Sequence, residues 1–231
     1  MTEAEWLACD NPVKMLEFLK GKVSERNLRL FAVACCRRRW AWFADKKSQN
    51  AIIVAEGFAN GERTELELLD AHEKAWRIVE YPGDAFDIRF LAKKIASFAA
   101  SPLADVAASG VANDLIFAAV VEECGEEVEG DPSWQQQCEI AISREREELA
   151  KVLREIAHPF HELFDHQCFT STVVSLAQTI YDEKAFDRMP ILGDALEDAG
   201  CDNADMLNHC RQQGEHVRGC WVVDLILSKD R

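Results

Sequence analysis

Five side chains able to hold a metal fall within twenty positions near the end of the chain: Cys201, His209, Cys210, His216 and Cys220. Zinc takes thiolate and imidazole donors in a tetrahedron, so this stretch offers more donors than one ion needs. The expected set is Cys201, one of His209 or Cys210, His216 and Cys220. What it lacks is the Cys-x2-Cys knuckle that makes a zinc assignment strong from sequence. A plainer reading stands beside it: the cysteines pack as small hydrophobes, and the histidines bond loop carbonyls.

Other groups carry weaker chemistry. His158, His161, Glu162, Asp165 and His166 mix imidazoles with carboxylates at helical spacing, which suits a metal site or simply a solvated helix end. Asp194, Glu197, Asp198, Asp202 and Asp205 form an acidic run without the glycine-centred loop of a calcium site. Asp202 fits a helix cap and the others a solvated face. Arg37, Arg38 and Arg39 beside Trp40 and Trp42 have the residue types that grip nucleic acid by charge and stacking. Arginines at a helix end also complement its dipole and pair with acidic neighbours. The adjacent Cys35 and Cys36 point to different faces of a helix and do not readily bridge one another. A nucleophile elbow, a phosphate-cradling glycine loop, a His-Glu-x-x-His pair and a dinucleotide fingerprint are all missing, so a non-catalytic protein is expected.

Positioning these residues falls to helices. The 231 residues are 48% hydrophobic, with only six prolines and eleven glycines, a pattern that favours long helices over many turns. The expectation is an all-α, multi-helix globular bundle of about nine or ten helices. It is read as one domain over 1–231, with a candidate seam at the acidic, glycine- and proline-flanked segment 125–132. Start signals are explicit: Thr2 with Glu5 and Thr64 with Glu67 have capping-box spacing, Asn11 precedes Pro12, and Ser24, Ser48 and Asp202 can cap. The helix after Pro102 is rich in Ala104, Ala107, Ala108, Gly110 and Ala112, which lets a neighbour approach closely and marks it as central. Glu147 with Lys151 and Arg144 with Glu148 have the spacing of helical ion pairs. The final apolar run, Val222 to Leu227, reads as helix because the chain offers no partner strand.

A formal charge of −15, from 41 acidic and 26 basic residues, repels phosphate backbones and argues against nucleic acid. Nine cysteines, an odd number, do not suit a secreted disulfide framework and point to a reducing cytoplasm. The first residues lack the basic and apolar regions of a secretory signal, and no uninterrupted apolar window of membrane-spanning length is seen.

Residues 1–38, MTEAEWLACDNPVKMLEFLKGKVSERNLRLFAVACCRR, and 185–227, AFDRMPILGDALEDAGCDNADMLNHCRQQGEHVRGCWVVDLIL, resemble two blocks of an uncharacterised bacterial family that occurs in many paralogous copies. The resemblance covers somewhat over a third of the chain and implies a cytoplasmic protein with a variable middle. It implies no activity and no catalytic residue. Family members carry an Asn-Pro-Phe-Arg type turn where this chain has His158-Pro159-Phe160-His161, so the histidines there are not a family-wide site. The functional expectation is a non-catalytic protein-interaction or adaptor module with a protein partner. The alternative is a zinc-type metal-binding protein using Cys201, His209, Cys210, His216 and Cys220.

Overall fold

The structure, a computed structural model, describes residues 1–79, 87–125, 132–160, 166–212 and 214–229, with the backbone alone at residue 166. It is all-α: three-quarters of the chain is helical, and the described residues form twelve α-helices, ten of them of seven or more residues. The chain divides into two compact units, Met1–Leu153 and Arg154–Arg231. The division falls in the last turns of a long helix, while most of the expected 125–132 seam lies outside the described residues.

The N-terminal unit contains α1 (Glu3–Ala8), α2 (Pro12–Leu19), α3 (Glu25–Arg38), α4 (Lys46–Ala59), α5 (Glu65–Trp76), α6 (Ile88–Ala99), α7 (Ala104–Cys124) and most of α8 (Pro132–Ile156). Thr2 and Glu5, and again Thr64 and Glu67, exchange both bonds of a capping box. Asn11 caps α2 and Ser24 caps α3 as expected. Ser48 does not cap α4. Asp45 takes that place, its carboxylate accepting from the amides of Lys47 and Ser48, and Ser48 is buried inside the helix.

α7 packs on α2, α3 and α6 and supplies the axis of this unit. By length and average composition it passes for a membrane-spanning helix, at a mean hydropathy of 1.5, although Asp105, Asn113 and Asp114 interrupt its apolar run, as expected from the sequence. Its apolarity serves the core instead: Ala107, Ala108, Val111, Ala112 and Leu115 are fully buried. Small residues let α6 come close. A Cβ added at Gly110 would stand 2.6 Å from the Phe98 ring on α6. Cys35 and Cys36 are both fully buried on α3, and burial raises both thiols.

The three arginines at the end of α3 are all engaged. Arg37 pairs with Glu56 of α4. Arg38 reaches Glu145 and Glu148 of α8 at 3.3 Å, and Arg39 reaches Glu145 at 2.7 Å and Glu122 of α7 at 3.3 Å. Trp42 donates to Glu122, and Arg37 and Arg39 lie over Trp40 and Trp42. These arginines and tryptophans are held by contacts within the chain. Glu147 and Lys151 pair as expected, at 3.2 Å. Arg144 instead pairs with Glu123 of α7 at 2.9 Å, and Glu148 turns to Arg38 and Lys151.

The C-terminal unit holds the last turn of α8, then α9 (Ser171–Glu183), α10 (Met189–Asp198), α11 (Ala204–Arg211) and α12 (Trp221–Ile226). Its core joins Val173, Ile180, Met189, Leu192, Leu196, Met206, Trp221, Val222 and Ile226. α9 packs on α10 and α12, and α10 on α11. Asn203, not Asp202, caps α11, accepting from the amide of Met206 at 2.8 Å. Gly200, at φ +88°, turns the chain out of α10.

Gly110→Ala is expected to destabilise the N-terminal unit by about 1–3 kcal/mol, because the Phe98 ring has to move. An unchanged melting temperature would show that α6 and α7 do not meet as described.

Candidate metal centre

Four donors converge in the C-terminal unit: Glu155, His209, His216 and Cys220, with one donor atom from each within 4.8 Å of every other. Glu155 lies in the last turn of α8 and His209 in the last turn of α11. His216 sits in the connection that follows, and Cys220 is the residue that caps α12. Three of these are among the five expected from the sequence. The other two, Cys201 and Cys210, are buried but stand outside the cluster. Cys201 Sγ contacts Met206 Sδ at 3.9 Å, and Cys210 packs under α10, where a Cβ on Gly193 would come within 3.0 Å of it. Both cysteines belong to the apolar core.

Glu155 was not expected. In the stretch SREREELAKVLREIA any single glutamate looks like part of a solvated helix face. The signal that sets it apart is its place in the sequence: Val152, Leu153, Ile156 and Ala157 flank it along the chain, and all are buried, as is Glu155 itself.

The contacts are short. His216 Nδ1 lies 3.0 and 3.1 Å from the two carboxylate oxygens of Glu155. His209 Nε2 lies 3.2 Å from Glu155 Oε2 and also 3.2 Å from Cys220 Sγ. The amide of Val217 donates to Glu155 Oε1 at 3.4 Å, and Gln212 Nε2 meets His209 Nδ1 at 3.3 Å. Trp221 closes the site, with the His209 ring 5.1 Å away and the His158 ring stacked on it at 4.5 Å.

Proton bookkeeping at this cluster leaves gaps. One imidazole nitrogen, His209 Nε2, faces a carboxylate and a thiol at the same distance, and a single hydrogen serves only one of them well. Among the described residues, the buried His216 Nε2 finds no hydrogen-bond partner. A buried polar atom left in this state is costly, so it asks for an explanation. Burial pushes the Glu155 carboxyl up, but hydrogen bonds from His209 and His216 outweigh it and hold the group below the usual carboxylate range. Burial, and then the nearby Glu155 charge, push the Cys220 thiol well up.

That thiol state bears on catalysis. His209 and Cys220 stand at the distance of a nucleophile and its base. Yet Cys220 is fully buried and its pKa is raised, the reverse of an activated cysteine.

His161, Glu162 and Asp165 are outside the described residues, and His166 opens a short 3-10 turn, His166–Cys168. Asp194 and Glu197 pair with Arg211, and Asp198, Asp202 and Asp205 are exposed, as a solvated face would be. No family model, no curated protein and no solved structure matches the chain, so the chemistry of this centre is read from its own residues.

Thiol accessibility follows directly from the burial. With iodoacetamide at pH 8, Cys9 and Cys124, which are partly exposed, should be alkylated first in the native protein. Cys210, buried and pushed up to about 12, should stay unmodified until the protein unfolds. Rapid native labelling of Cys210, read by peptide mass spectrometry, would contradict this packing.

Proposed function

We propose that the chain binds one divalent cation of the zinc type through Glu155, His209, His216 and Cys220, in a closed, non-catalytic site. The observation that carries this reading is the convergence of four donors, one each from Glu155, His209, His216 and Cys220, within 4.8 Å of one another. A tetrahedron with bonds of about 2.0–2.3 Å has edges of roughly 3.3–3.7 Å. The contacts from Glu155 to each histidine and from His209 to Cys220, 3.0 to 3.2 Å, are already near that size.

The donor chemistry selects among ions. Two imidazoles, one carboxylate and one thiolate suit zinc and its neighbours, and they are wrong for calcium or magnesium, which want oxygen throughout. Charge balances as well. One carboxylate and one thiolate neutralise a divalent ion, so the buried cluster carries no net charge once Cys220 has given up its proton. All four positions of the tetrahedron are filled by protein, whereas catalytic zinc keeps one open. A hydrogen-bonded knot of the same residues is the plain alternative, and metal analysis separates the two.

Elemental analysis of protein purified without metal-affinity steps is expected to find about one zinc per chain. Cobalt(II) substitution should give a sulfur-to-metal charge-transfer band that disappears in Cys220→Ser and persists in Cys201→Ser. Absence of any stoichiometric metal, together with no binding of added zinc, would dispose of the proposal.

A second reading, the non-catalytic interaction module, is favoured by α5. Leu66, Leu69 and Trp76 lie on one side of that helix and are 78%, 41% and 54% exposed. Such a stripe fits the apolar face of an amphipathic helix on a protein partner. Replacing all three with serine should leave the melting temperature nearly unchanged and abolish recovery of the partner that the native chain retains. Equal recovery by the variant ends this reading. A reducing, cytoplasmic setting is proposed with both readings, supported by nine cysteines of which none is in a disulfide.

A further inference from the structure

We infer that occupancy of the Glu155, His209, His216 and Cys220 centre decides whether the C-terminal unit is ordered, while the N-terminal unit stays folded either way. The inference rests on the metal-binding reading and extends it to what the metal does.

All four donors belong to Arg154–Arg231, and none comes from Met1–Leu153. They are far apart along the chain: His216 is 61 positions from Glu155, and Cys220 is 11 from His209. A clip that closes a long loop removes the most freedom from the unfolded chain, so an ion here acts on the whole unit rather than on one turn. The unit is also at the size where such a clip matters. Below about 80 residues a single hydrophobic core rarely secures a fold unaided, and small domains add disulfides or metals. This one has no disulfide.

The local architecture concentrates the dependence at α12. That helix has six residues and no side-chain cap, and its start is set by Cys220. It nevertheless supplies Trp221, Val222, Val223 and Ile226 to the core of the unit. Between α11 and α12 the described backbone has no helix, and His216 and Val217 bind it to Glu155. Without a cation, the ties at this point are a carboxylate shared by two imidazoles and a thiol. Four coordinate bonds replace them when the ion binds, and His216 Nε2 is no longer forced to stay buried unmet if the ring turns to coordinate through it. The N-terminal unit has a core of its own on α3, α6 and α7.

Hydrogen–deuterium exchange on the full-length protein tests this, comparing zinc-loaded protein with the same protein after removal of zinc by a chelator. Expected is at least a tenfold rise in exchange across α9 to α12, unchanged exchange in α3, α6 and α7, and recovery when zinc is returned. The Cys220→Ser chain should show the fast C-terminal pattern with or without zinc. If zinc binds stoichiometrically but its removal leaves α9 to α12 protected, the inference fails and the metal-binding reading survives. If both units open together, the inference fails in its other half. If no metal binds, both fall. Chelation of the native chain needs no variant, so poor folding of Cys220→Ser does not spare the inference.

Discussion

The carboxylate of Glu155 is the constraint to which the C-terminal unit answers. An ion of this size removed from water loses several kcal/mol of hydration even after the protein relaxes. That loss is tolerable only where opposite charge or well-placed protons meet it. Two histidines and a backbone amide do so here, and they hold the group ionised despite its burial. Every one of these partners comes from a part of the chain far from Glu155 in sequence. The carboxylate therefore ties the end of α8 to α11 and to the connection before α12, and the apolar core fills in around that tie.

Charge is handled in the opposite way in the N-terminal unit. The chain carries an excess of acidic groups, and Arg29, Arg38 and Arg39 are drawn inward to meet them or the backbone. Arg29 is 2% exposed and donates to the carbonyls of Ser101 and Pro102 in the connection between α6 and α7, where the backbone has no helical partner for them. Arg38 and Arg39 converge on Glu145, itself buried. Bidentate arginines suit such positions because their planar forks satisfy more than one carboxylate at once. The residual negative charge is left to the surface, where it favours solubility and not fold.

How much of this could be read from sequence depended on whether the deciding interaction was local. Capping boxes at Thr2 and Thr64, the Asn11-Pro12 start and the small-residue character of α7 are local, and each appears in the structure where it was expected. Cap choice between near neighbours was harder. Ser48 lost to Asp45, and Asp202 to Asn203, because several residues with capping side chains stood within a few positions of each other and only the path of the chain selects one. Arg144 has a good local partner in Glu148, yet a tertiary one in Glu123 prevails. At the candidate centre, residue type identified His209, His216 and Cys220. Chemistry alone could not separate Cys220 from Cys201 and Cys210, since all three thiols are buried and only position relative to Glu155 distinguishes them.

α7 has a consequence for biosynthesis. A segment of this apolarity, leaving the ribosome alone, presents a surface to which other unfolded chains adhere. The helices α2, α3 and α6 that pack on it precede it in the chain, while α8, whose Arg144 pairs with its Glu123, follows. The first three are already synthesised when α7 emerges, so its greasy surface can be covered during translation instead of waiting for distant residues. Had the order been reversed, the same helix packed in the same bundle would have spent its first seconds as a hazard.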